Sequence, residues 1–292
     1  MTIFAERAPA KINLTLEVLG RRPDGHHELR SLVAFASEAA DHVTLDTTRP
    51  PGCEVTGPFG GTIAGQNLIN VTLAKLASAD PDLKHGHVVL TKNLPVAAGI
   101  GGGSADAAAV LRAVQRANPE HVSKVDWHAL AMSLGADVPV CFDSHLSWMT
   151  GVGDRVTRLN RRAFNDAYVV IANPLVPVPA DKTAQVFRAL RAPDISAEAT
   201  AKRPPARLEE TDLFSIIASG RNDLERAAIE VVPEVSGVLS DLAAFAGAKV
   251  TRMSGGGPTC FALFETANAA QAAAASLRAI RPKWWIAASA LA

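Results

Sequence analysis

The stretch PVAAGIGGGSADAAA places four glycines, Gly99, Gly101, Gly102 and Gly103, within five positions, and an alanine-rich run follows at once. A backbone without side chains lets successive N–H groups converge on an anion. The N-terminus of a helix placed directly after them adds a favourable dipole term, typically ~0.3–1 kcal/mol. This is the chemistry of phosphate binding. The competing reading is structural: a loop tip, or a point where helix and sheet pack too closely for a Cβ.

Spacing separates the phosphate-binding forms. The P-loop pattern GxxxxGK[ST] requires a lysine directly after the loop, and none follows Gly103. The dinucleotide fingerprint GxGxxG fits poorly, because Ser104 stands where the third glycine belongs, although Glu120 lies about twenty residues on, as a ribose-binding acid would. Thr91 to Pro95 also intervene between the preceding strand and the glycines. What remains is a longer loop that wraps phosphates and hands them to the helix beginning near Ser104. Transfer of a phosphoryl group further needs a residue to position the nucleophile and another to offset charge. Lys11, beside Asn13 on the polar face of a strand, and Asp137, in LGADVPV, are candidates. Taken singly, each reads equally well as a solvated bystander.

The elements that must position these residues follow from periodicity. KINLTLEVLG alternates, with Ile12, Leu14, Leu16 and Val18 on one face and Lys11, Asn13, Thr15 and Glu17 on the other, which predicts a half-buried strand. DHVTLDT and HVVL read as strands. A helix starts at Asn67 and ends before Asp80-Pro81; another runs from a Ser104 cap to Asn118-Pro119. DWHALAMSL is a third helix, capped by Asp126 and closed by Gly135 as a left-handed terminator. Past residue 155 the pattern restarts: strand YVVIANP, helix near KTAQVFRAL, helices either side of Pro233, strands AKVTRM and TCFALF, helix ANAAQAAAASLRAI and strand KWWIAASA. These predict domains at 1–155 and 156–292 in an α+β class. Residues 192–210, rich in Ala, Pro and charge, read as an irregular surface connection.

Bulk composition narrows the partners. Of 292 residues, 29 are basic and 29 acidic, and without a basic surplus neither nucleic acid nor an anionic membrane is favoured, so the expected partner is a small molecule. Cys53, Cys141 and Cys260 lack metal-ligand spacing, and a reduced, cytoplasmic setting is expected. The apolar runs stay short of a membrane span.

Three segments together, APAKINLTLEVLGRRPDGHHEL, PVAAGIGGGSADAAA with LGADVPV, and MSGGGPTCFALF, resemble the motifs of the GHMP kinase superfamily in order, from Pro9 to about Phe264. PAKINL, the DGHH segment and LGADVPV narrow the resemblance to the branch whose acceptor is a cytidine-diphosphate-linked methylerythritol. The resemblance implies an N-terminal domain of the ribosomal protein S5 domain 2-like type, a ferredoxin-like C-terminal domain, and ATP with Mg²⁺ as cofactors. It implies that Lys11 and Asp137 are the catalytic pair. Pro95, Val96, Ala97, Ala98, Gly99 and Ile100, followed by Gly101, Gly102, Gly103, Ser104 and Ala105, would form the ATP-phosphate loop. Asn67 and Lys92 would lie near adenine, although a helix cap and a solvated lysine explain them nearly as well. Asn13, His26, His27 and Phe187 would meet the cytidine side of the substrate, Phe187 being equally well placed as a core residue. No acidic cluster with ligand spacing assigns a protein ligand to Mg²⁺.

Two departures stand out. Asp24-Gly25-His26-His27 replaces the usual DGYH, so an imidazole stands where a tyrosine ring is common, and Ser254-Gly255-Gly256-Gly257-Pro258-Thr259 replaces SGSGPT. The alternatives are another kinase of the superfamily, such as a homoserine kinase, and a non-catalytic nucleotide-binding protein on the same fold.

Overall fold

The computed structural model describes residues 2–62, 67–159, 167–196 and 213–292. Most of the 192–210 connection lies outside them. The chain divides into two compact units, the first formed by residues 1–10, 39–96 and 101–144 and the second by 11–38, 97–100 and 145–292. Strands β1 (Ile3–Arg21) and β2 (His27–Asp46) contribute residues to both.

In the first unit, β3 (Gly52–Thr56) runs parallel to β4 (His87–Thr91), which pairs antiparallel with the end of β2, Leu90 opposite Val43. Val88 and Leu90 turn inward, as HVVL requires. Helices α1 (Leu68–Ala79), α3 (Trp127–Leu134) and α4 (Val138–Asp143) pack on α2 (Gly102–Ala117). The alanines of α2 are buried, and their small side chains let three neighbours approach. Asn67 and Asp126 cap α1 and α3 by accepting from the N–H groups of Asn70 and Ala129. Two expectations are corrected. Ser104 does not cap α2: the helix begins two residues earlier behind Gly101, whose φ of 63° and ψ of 20° end the loop without a side-chain cap. Gly135 ends α3 with φ 156° and ψ 154° rather than in the left-handed helical conformation.

In the second unit, the start of β2 pairs antiparallel with β5 (Ser147–Gly151), and β5 with β6 (Arg155–Arg158). A separate antiparallel sheet has the order β10 (Trp285–Ala290), β7 (Tyr168–Asn173), β9 (Cys260–Phe264), β8 (Val250–Met253). With α8 (Glu234–Ala243) and α9 (Ala267–Ile280) packed on it, the order is the ferredoxin-like one, fourth strand beside first beside third beside second. Three more helices belong here: α5 (Lys182–Leu190), α6 (Leu213–Ser219) and α7 (Glu225–Val231). Val235, Val238, Leu242, Phe264, Ala274 and Leu277 share one core.

The half-buried reading of β1 is also corrected. Its alternation is real, yet Lys11, Asn13 and Thr15 are as buried as Ile12 and Leu14. Within the second unit, the Arg221–Asp223 turn runs beside β1, the Leu16 N–H donating to Arg221 O and the Asp223 N–H to Leu16 O. Arg252, itself buried, donates to the carbonyls of Leu14, Ile217 and Gly220. A polar face under such cover must find internal partners.

Candidate active site

Those partners converge on the glycine segments. The Lys11 N–H donates to Ile100 O at 2.9 Å, and the Lys11 side chain is only 3% exposed. Asn13 donates its N–H to Ser254 Oγ at 3.1 Å and its amide nitrogen to Ser31 Oγ at 2.7 Å. The Ser31 hydroxyl donates to Thr15 O at 2.6 Å, and the Ser254 hydroxyl donates to Gly99 O at 3.2 Å. The Asn13 Oδ1 is buried and has no hydrogen-bond partner among the described residues. An unfilled acceptor in so dense a network is a place for a ligand hydroxyl, since leaving it unmade costs about 1–3 kcal/mol.

Residues 97–100 dock on the second glycine segment at close range. A Cβ on Gly99 would lie 2.7 Å from both Gly257 O and Ser254 O, and one on Gly255 would lie 2.7 Å from Gly99 O. Both glycines have left-handed φ, 79° and 54°. Ala97 has φ 54° as well, a conformation that costs a non-glycine residue about 1–2 kcal/mol. Lys182 offsets that cost. Lys182 is 3% exposed, and its ammonium donates to Ala97 O at 3.0 Å and to Gly257 O. Burial pulls the Lys182 pKa down to about 8.

In the first unit a buried ionic triad underlies the other ends of the loop. Lys92 Nζ lies 2.5 Å from Asp41 Oδ2 and 2.5 Å from Asp106 Oδ2. Asp41 turns its second oxygen to the N–H groups of Asn93 and Leu94, at 2.5 and 2.8 Å, fixing the chain that enters the loop. Asp106 sits on α2 one turn past Gly102, and a Cβ on Gly102 would lie 3.1 Å from Lys92 Nζ. Two carboxylates share one cation. Burial, assisted by Asp41 and opposed by Lys92, pushes the Asp106 pKa up to about 8, so the triad holds one carboxyl proton at neutral pH.

The remaining candidates divide as follows. Asp137 is half-buried at the start of α4 and does not cap it. Asn67 caps α1 and turns its amide toward Cys53 Sγ at 3.6 Å. Gly103 is exposed, and a Cβ there would meet nothing within 4 Å. His27 and Phe187 stack, with ring centroids 4.6 Å apart and planes at 23°, and both line a cavity of ≈ 680 Å³ together with His26. Burial, then the charges of Arg21 and His26, lowers the His27 pKa, which keeps the imidazole neutral with one donor and one acceptor nitrogen. Phe187, which helical spacing alone reads as core, reaches this cavity.

Sequence reading missed Asp41, Asp106 and Lys182. A signal existed for Asp106: a lone carboxylate inside an alanine run on a buried helix has to be paired. For Lys182, at an ordinary helix start, none did.

Two family models match the chain, the GHMP kinases N terminal domain over residues 67–144 and the GHMP kinases C terminal over 208–282. A 4-diphosphocytidyl-2-C-methyl-D-erythritol kinase of Methylobacterium radiotolerans is 45% identical over 293 residues, covering 98% of each chain. One from Rhodopseudomonas palustris is 43% identical over 304 residues and covers 100% of both. The chain belongs to the 4-diphosphocytidyl-2-C-methyl-D-erythritol kinase family. A crystal structure of 4-(cytidine 5'-diphospho)-2C-methyl-D-erythritol kinase matches with a TM-score of 0.73 at 34% identity, covering 98% of each chain. The homoserine kinase of Cytophaga hutchinsonii matches with a TM-score of 0.69 at 18% identity, covering 99% and 95%, a likeness of fold alone. The protein is therefore a small-molecule kinase with the two-domain GHMP fold, and its family implies ATP as cosubstrate. Among the described residues, no helix is long and apolar enough to cross a membrane.

Proposed function

We propose that this kinase transfers the γ-phosphoryl group of ATP to the 2-hydroxyl of 4-diphosphocytidyl-2-C-methyl-D-erythritol. The observation that carries this reading is full-length identity of 41% to 45% to relatives that all bear that name. A homoserine kinase shares the fold but not the sequence, and a pure binding protein has no use for a buried lysine and a carboxylate at matching motif positions.

ATP supplies the phosphoryl group and the ADP leaving group, and Mg²⁺ would offset negative charge during the transfer. The residues present fit this cargo. The N–H groups of the first turn of α2 have no intrahelical partners, and Gly103 leaves the approach to them open. Asn13 Oδ1 accepts from a hydroxyl of the methylerythritol unit. As the 2-oxygen attacks the γ-phosphorus and the bond to the β-phosphate oxygen breaks, Asp137 takes the hydroxyl proton and Lys11 offsets the charge on the transferring group. His27 and Phe187 present an aromatic face to cytosine, with His26 in the place of the usual tyrosine. Asn67 lies on the adenine side, and Lys92 acts there through its grip on the loop.

Purified enzyme with ATP, Mg²⁺ and the diphosphocytidyl alcohol is expected to release ADP and the 2-phosphate in equal amounts. No ADP above the level of the ATP-only control would defeat the reading. The two glycine types give a sharper test. Gly103→Ala adds a methyl where the protein has room and should raise stability by ~0.5–1 kcal/mol through helix propensity, while raising the KM for ATP at least tenfold. Gly99→Ala drives a Cβ into two backbone carbonyls and should cost ~1–3 kcal/mol of stability as well. An unchanged KM in Gly103→Ala would remove the helix N-terminus from the phosphate site.

A further inference from the structure

Arg112 lies on α2 well past the glycines, and far in sequence from Asp137. An arginine on a helix face commonly reaches into solvent, yet this side chain is only 19% exposed. Its guanidinium is committed to backbone carbonyls and one carboxylate. Nη1 donates to the carbonyls of Cys141 at 2.8 Å and Phe142 at 3.3 Å, Nη2 to Arg7 O at 2.6 Å, and Nε to Glu6 Oε2 at 3.1 Å. One planar fork therefore ties together α2, the end of α4 and the start of β1, all within the first unit.

The tie to α4 bears on the site. This helix has six residues, too few to be held in place by its own hydrogen bonds. Val138, Pro139, Val140 and Cys141 are buried, but apolar burial has no direction, so it presses the helix inward without fixing its register. Hydrogen bonds supply the direction. Besides Arg112, Cys141 O accepts from the Ser144 hydroxyl at 2.5 Å, and Ser144 closes the helix at φ 50°. The guanidinium charge also suits the negative end of the helix. One turn back, the Cys141 N–H donates to Asp137 O at 3.2 Å. Arg112 is thus linked through Cys141 to the backbone of Asp137, and its own backbone belongs to the helix whose first turn is assigned to the phosphates.

We propose that Arg112 is a positioning residue for phosphoryl transfer: by fixing the end of α4 to α2, it sets the place of Asp137 relative to the first turn of α2. This rests on Asp137 as the base and adds the residue that holds it in register. Displacing a reacting group by about 1 Å costs up to roughly 10²-fold in rate. Arg116, one turn further along α2, provides the contrast. It donates to Glu6 Oε1 at 2.6 Å and to Ala5 O at 3.2 Å, and so grips β1 without a hydrogen bond to α4 among the described residues.

The test is a double-mutant cycle in the full-length kinase, with steady-state ADP release and thermal unfolding measured on every variant. Arg112→Gln loses both charge and fork and should lower kcat by roughly tenfold to a hundredfold, with the KM for ATP and for the alcohol within about threefold. Arg112→Lys keeps the charge without the fork and should lower kcat by at least about threefold; if Arg112→Gln does not fold, Arg112→Lys decides alone. In an Asp137→Asn background the same substitutions should cost no more than about twofold further, because the residue they misplace no longer takes a proton. A merely structural role would lower the folded fraction and reduce activity equally in both backgrounds. Arg116→Gln should keep kcat within about twofold of native while giving up its bonds to β1. Native kcat in the Arg112 variants, losses that multiply with Asp137→Asn, or an equal loss in Arg116→Gln would each overturn the proposal and leave Asp137 as the base. Retention of more than about a tenth of native kcat in Asp137→Asn alone would remove the base, and the proposal with it.

Discussion

Asp137→Asn is expected to lower kcat by on the order of 10³-fold with little change in the KM for either substrate. Asparagine keeps the shape of the side chain but cannot take a proton, and positioned general bases contribute roughly 10²–10⁴ in rate. A thermal melt run beside the kinetics separates loss of chemistry from loss of fold. Lys11→Met should lose ~10²-fold or more, and the double variant should be little worse than Asp137→Asn alone, since groups serving one proton transfer are not additive. Steady-state ADP release and a thermal melt on the same preparations decide the matter. More than a tenth of native kcat in Asp137→Asn would remove it from the role of base.

The second large effect is on stability and resides in the Lys92 triad. Lys92→Met should cost ~3–5 kcal/mol, because it strands two buried carboxylates that share this cation. Asp106 can take up a proton, whereas Asp41 loses its cation and keeps only the backbone N–H groups of Asn93 and Leu94 as partners among the described residues. Asp106→Asn behaves differently. In the unfolded chain this carboxyl titrates near 3.8; in the folded chain it titrates at about 8. Between those values the folded state holds a proton that the unfolded chain has released. Stability from this group is therefore fully present below the lower value and declines as pH rises through the window, by up to ~1.4 kcal/mol per pH unit for one proton. Asparagine imitates the protonated carboxyl and has no proton to lose. The variant should melt close to the native chain at pH 5 and above it at pH 9. A native chain whose melting temperature rises from pH 5 to pH 9 by more than Asp106→Asn does would contradict the raised pKa.

The elements that carry the candidate site were legible because their signals are local. Asn67 and Asp126 cap helices by contacts three residues away, Asn118-Pro119 stops α2, and the apolar run in YVVIANP marks the inner strand β7. β6 escaped because Arg155–Arg158 is a short, mostly exposed strand defined by its bonds to β5, with no apolar alternation to betray it. Ser104 misled because a serine before an alanine run is the usual cap, while the left-handed Gly101 starts the helix without one. Burial of the polar face of β1 could not be read either: it depends on Ser31, Ser254 and Arg252, far away in sequence. The same distance hides Asp41 from Lys92. Motif resemblance pointed to Lys11, Asn13, Lys92 and Asp137, but Asp41 and Lys182, which also steady the loop, lie outside the motifs.

The ammonium of Lys182 joins the carbonyls of Ala97 and Gly257 and thereby makes three stretches of chain into one inherited part. A loop graft bringing 97–100 from a relative would place a foreign carbonyl under a lysine fitted to another, against glycines with no space to adjust. Homologous recombination in this family should therefore tolerate breakpoints that keep residue 182, the 97–100 loop and the 254–259 loop of common parentage, and penalise those that divide them. Libraries of chimaeras made with its relatives would show this as a linkage among three distant blocks.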